Sequence, residues 1–65
     1  MMYRDYLMEF FRYDHLSAEL QEVSQPFFLL AERIHNELPQ NEERHEALRK
    51  LLEAKDCAVR ATLLK

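Results

Sequence analysis

The stretch Leu38-Pro39-Gln40-Asn41-Glu42-Glu43 interrupts a 65-residue chain at a point from which apolar periodicity runs in both directions. Proline disfavours helical backbone in the residue before it, so a helix arriving from the N-terminal side stops at Leu38. Asn41 is a good N-cap, and Glu42 and Glu43 place negative charge where the amide end of a new helix favours it. A connection of only about four residues turns the second helix back along the first, which predicts an antiparallel αα-hairpin.

Upstream of the break, Leu20, Val23, Phe27, Leu30, Ile34 and Leu38 recur at steps of three or four, one stripe of a helix over residues 17–38. Ser17 is its expected N-cap. Pro26 removes the amide that would bond the Glu22 carbonyl and crowds it, so the helix is expected to be a single element kinked near Pro26, with a restart capped by Ser24 as the alternative. Downstream, a second helix is expected over residues 42–64. Its apolar face is formed by Ala47, Leu48, Leu51, Leu52, Ala58, Val59 and Leu63, with Arg60 and Lys65 suiting its C-terminal end. Residues 1–13 hold five of the seven aromatic side chains, and Tyr3, Leu7 and Phe10 have helical spacing. A short helix docked across the hairpin or a neighbouring subunit would bury them, whereas leaving them exposed would create a sticky patch. The expected fold is therefore all-α, one domain spanning residues 1–65.

So short a chain buries only about 60% of the surface that its unfolded form exposes. A single cysteine, Cys57, excludes an intramolecular disulfide, which leaves association with further copies as the expected remedy. The composition, 48% apolar and 32% charged with no glycine, is that of a helical globular chain, not of a disordered or turn-rich one. No run approaches the roughly 20 apolar residues of a membrane span, and the order Met1-Met2-Tyr3-Arg4-Asp5 is not that of a signal peptide, so a cytosolic location is expected. The net charge of −3 divides unevenly: residues 1–43 carry three basic and nine acidic side chains, and residues 44–65 six basic and three acidic. The second half can meet phosphates or an acidic neighbour. It is not basic enough for duplex DNA to be an expected partner.

Lys55 falls in the stripe of Leu48, Leu52 and Val59, so its stem lies along the apolar seam while its ammonium reaches for water or an anion. Arg49, Glu53, Asp56 and Arg60 follow at steps of four, three and four, a polar strip suited to ion pairs in which a guanidinium can also clamp a phosphate or stack on a base. Tyr13 precedes the first long helix, where its ring either packs or projects. His15, His35, His45 and Cys57 lack zinc-ligand spacing, so neither metal nor cofactor is expected. No glycine-rich phosphate loop or nucleophile elbow is present, so no catalysis is expected, and Cys57 reads as a small packing residue.

Two segments are more specific, Phe11-Arg12-Tyr13-Asp14-His15-Leu16 and Ala47-Leu48-Arg49-Lys50-Leu51-Leu52-Glu53-Ala54-Lys55-Asp56-Cys57-Ala58-Val59-Arg60-Ala61. With Val23-Ser24-Gln25-Pro26-Phe27 and Leu38-Pro39, they resemble the phage-encoded anti-CBASS sponge family, whose helical hairpin is shared with a sponge that blocks the Thoeris system. The resemblance covers about residues 11–65. It implies sequestration, without hydrolysis, of the cyclic di- or trinucleotide messengers of bacterial immunity in the cytoplasm of the infected host, by a compact homohexamer with pockets between subunits. It assigns the base-stacking tyrosine to Tyr13 and the C-terminal-helix arginine to Arg60. The family's basic side chain from the first helix falls near Gln25, which carries no charge, so Lys55 or Arg49 from a neighbouring subunit are the candidate replacements. Two other classes remain open from the residues themselves: an adaptor binding RNA or an acidic protein through the basic second helix, and a purely structural assembly protein.

Overall fold

The computed structural model describes residues 4–64, and they form three helical elements: a 3-10 helix Tyr6–Phe11, a long helix α1 over Ala18–Glu37 and a second, α2, over Glu42–Leu63. Laid end to end, 20 and 22 helical residues would span more than about 60 Å at 1.5 Å per residue, yet the molecule measures 39 × 19 × 16 Å. The two helices therefore lie side by side, as the four-residue connection requires. No strand occurs among the described residues.

The caps are those expected from the sequence. Ser17 Oγ accepts the Leu20 amide at 3.4 Å, and the Gln21 side-chain amide fixes the approach by donating to the Leu16 carbonyl at 2.8 Å. Asn41 Oδ1 accepts the Arg44 amide at 2.9 Å, opening α2. Each cap satisfies an amide that the helix itself cannot, a contribution of about 1 kcal/mol. At the other ends Leu38 and Leu64 leave the helices with their amides still bonded to Ile34 and Arg60 carbonyls. Helix α1 runs through Pro26 as one element, and Ser24 lies inside it, buried, instead of capping a restart.

The N-terminal segment forms the expected short helix docked across the hairpin, but buries a different set of side chains. Asp5, not an apolar residue, starts the 3-10 helix by accepting the Leu7 amide at 3.0 Å. Residues three apart eclipse in such a helix, so Met8 and Phe11 share one edge, and with Leu7 they are buried. Phe10, one turn beyond Leu7, and Tyr6 are 57% and 64% exposed; Tyr3 lies outside the described residues. The fully buried apolar core is Leu7, Met8, Phe11, Ala31 and Leu48, with Phe27, Phe28, Ile34, Leu51 and Leu52 packed around it. Three of those five come from the N-terminal segment, each worth about 1.5–3 kcal/mol on burial except where neighbours already shield it. The segment is thus part of the core.

The expected α1 stripe is only partly covered, with Phe27 and Ile34 packed on the core. The buried residues are Ser24, Ala31 and His35, whereas Leu30 and Leu38 of the expected stripe are exposed. At about 100° per residue the stripe centres about 70° around α1 from these buried residues. The hairpin consequently has two unlike sides. On one, the N-terminal segment is tied down by Arg4 to Glu32, by Asp5 to His35 and His45, and by Tyr13 against Phe28. On the other, Leu30, Ile34 and Leu38 of α1 line one shallow concavity, and Leu38 borders a second with Ala47 of α2. On α2 itself Leu48 and, less expectedly, Arg44 are buried, while Leu63 is 65% exposed and Cys57, expected to pack, is exposed.

Candidate functional site

Tyr13, Gln25, Arg49, Lys55 and Arg60 occupy three elements, and no hydrogen bond, ion pair or ring contact among the described residues joins one of the five to another. Tyr13, in the link between the 3-10 helix and α1, is half-buried; its ring meets Phe28 edge to face, with centroids 5.4 Å apart. The phenol is thus braced by α1, which lowers the entropy lost when such a ring is stacked on a ligand. Gln25 is exposed on α1, three residues before Phe28.

On α2 the basic side chains are mostly engaged within the helix. Arg49 forks onto Glu46 at 2.9 and 3.0 Å and reaches Glu53 at 3.4 Å. The hydrogen bonds from Arg49 hold the Glu46 carboxyl below its ordinary range, and Lys50 stands 4.0 Å from the same carboxylate. The Lys55 side chain is only 13% exposed, its stem laid along the seam as its register implies, and Nζ pairs with Asp56 at 3.1 Å. That pairing replaces the expected Asp56–Arg60 step of the polar strip. Arg60 instead donates from Nη2 to Cys57 Sγ at 3.4 Å. Among the described exposed cations of α2, Arg60 is therefore the one without a carboxylate partner, since sulfur is a weak acceptor.

A polar cluster that the sequence did not single out lies at the turn end. Asp5 is 1% exposed, with Oδ1 on the Leu7 amide and Oδ2 2.7 Å from His45 Nδ1. A carboxylate only accepts, so His45 Nδ1 carries the proton. The Asp5 amide donates to His35 Nε2 at 3.2 Å, which leaves the His35 proton on Nδ1, where Asn36 Oδ1 accepts it at 3.2 Å. Arg44 Nη1 donates to the His35 carbonyl at 3.0 Å, tying α2 to the last turn of α1, and the Tyr6 ring lies 5.8 Å from that of His45. Burial alone would push the Asp5 carboxyl up. The Leu7 amide, the His45 hydrogen bond and the charges of His45 and Arg44 outweigh it and hold the carboxyl below its ordinary value of 3.8. A shallow concavity of about 300 Å³ bounded by Asp5, Gln40, Asn41, Glu42, Arg44 and His45 opens beside this cluster. The signal for it was present in Asp5 placed just before Tyr6-Leu7, an N-cap position, but nothing in the linear order pairs Asp5 with His35 or His45.

The described residues include no helix long and apolar enough to cross a membrane. Comparison with known proteins adds no relationship: no family model, no curated protein and no solved structure matches the chain.

Proposed function

We propose that the protein is a non-catalytic, self-associating helical module that sequesters cyclic di- or trinucleotide immune messengers, the reading implied by its likeness to the anti-CBASS sponges. In this reading Tyr13 stacks on a base, for about 1–3 kcal/mol, and Arg60 pairs with a phosphate or lies over the opposite base face. Gln25, Lys55 and Arg49 stand at the edge of the pocket, completed by a second copy, and the assembly is the homohexamer of the resembled family in the cytoplasm of an infected bacterium. The observation that carries it is the Arg60 guanidinium, exposed and unclaimed by any carboxylate of the described residues while its neighbours Arg49, Lys50 and Lys55 are held in ion pairs. The bracing of Tyr13 by Phe28 adds a preformed aromatic surface. Those same ion pairs neutralise much of the positive charge of residues 44–65 and so lend less support to an RNA-binding adaptor.

Calorimetric titration with a panel of cyclic di- and trinucleotides, beside light scattering for the mass, tests the proposal. Sub-stoichiometric tight binding, with the ligand recovered intact, is expected. Tyr13→Ala and Arg60→Ala are expected to abolish the heat without changing the mass, and unchanged affinity in both variants sinks the site. No heat with any cyclic nucleotide, together with RNA binding that weakens steeply with salt, supports the adaptor instead.

A further inference from the structure

We infer that the hairpin side opposite the N-terminal segment is the seat of a second copy of this chain, packed with its α1 antiparallel to the first about a twofold axis near Ile34. This names the interface for the self-association in the proposed function, and it rests on that part of the reading alone.

The two sides of the hairpin have been treated differently by the chain. One has its own lid, and the burial of Leu7, Met8 and Phe11 beneath it shows what an apolar groove between these helices needs. The other has none among the described residues: Leu30 and Leu38 stand 46% and 49% exposed, beside half-buried Ile34 and Ala47. Two shallow concavities of about 200 Å³ meet at Leu38, one bounded by Leu30 and Ile34 and the other by Pro39 and Ala47.

Charge decides the occupant. Arg33 and Glu37 line one edge of the apolar stripe, both exposed and paired with each other at 3.1 Å. A twofold axis perpendicular to two antiparallel helices brings the same edge of each copy together. With the twofold near Ile34, Leu30 of one copy faces Leu38 of the other, and Arg33 comes within about 3 Å, measured along the helices, of Glu37 in the second copy. The edge is thus complementary to itself, with apolar residues opposite apolar ones and a cation opposite an anion twice over. Five donors on each guanidinium allow the pair within the chain and the pair between chains together.

Sedimentation or light scattering over a concentration series reads the result. Leu30→Glu, at a site exposed in the single chain, is expected to reduce the mass while leaving the helical circular dichroism unchanged. Arg33→Glu and Glu37→Arg are each expected to weaken association at least about tenfold through like charges across the axis. An equimolar mixture of the two restores it, because every cross pair is again opposite in sign. A wild-type chain that is monomeric throughout, a Leu30→Glu chain with unchanged mass, or a mixture no better than either single variant overturns the inference. None of these readings uses a nucleotide, so failure of the sequestration proposal leaves the masses to decide this one.

Discussion

Replacing Asp5 by asparagine keeps the size of the side chain, and most of its N-capping ability, while removing the charge that the turn-end cluster is built to hold. The carboxylate is almost wholly enclosed and accepts from the Leu7 amide at 3.0 Å and from His45 at 2.7 Å. A hydrogen bond to a charged group contributes about 1.5–3 kcal/mol, and an amide NH₂ turned toward His45 Nδ1–H would be a donor facing a donor. The expected loss is about 2 kcal/mol at pH 7, a large part of the roughly 3–10 kcal/mol available to a domain of this size. Because the Asp5 carboxyl is held below 3.8, its contribution is complete above about pH 5 and is lost as the pH falls through its folded-state value. Urea titrations followed by circular dichroism from pH 7 to pH 2.5 should therefore show a gap between wild type and Asp5→Asn that is constant near neutrality and closes in acid. A variant as stable as wild type at pH 7, or a gap of the same size at both ends of the series, would refute the account of the cluster.

Two other substitutions bear on α1. Ser24 Oγ is buried with no hydrogen-bond partner among the described residues, so Ser24→Ala should raise stability by about 1 kcal/mol, and a loss of that size in a urea titration would mean that the hydroxyl is satisfied in solution. Pro26→Ala returns an amide to the Glu22 carbonyl inside a continuous helix and should raise the melting temperature, by an amount corresponding to at most about 3 kcal/mol; a lower melting temperature would show that the fixed backbone angle of proline is needed for packing.

The hairpin was legible because its determinants are local. Ser17, Leu38-Pro39 and Asn41 act on backbone groups within one turn of themselves, and the three- and four-residue spacing of leucines needs no knowledge of what they face. Lys55 along the seam and Arg49 beside Glu53 follow from the same register. What the spacing could not choose was the direction of the α1 stripe. A periodic apolar face demands some cover, and α2, the N-terminal segment and a second copy all satisfy that demand equally in one dimension.

Tertiary structure alone decided that Ser24, Ala31 and His35 are the buried residues of α1. It also turned residues 6–11 into a 3-10 helix, trading the expected Phe10 contact for Met8 and Phe11, and it joined Asp5 to His35 and His45 across 30 and 40 positions of chain. The physical reason is the same in each case. Caps and periodicity are set by neighbours along the chain, whereas the choice among competing apolar faces, and the partner of a buried charge, depend on which surfaces the folded chain has already covered.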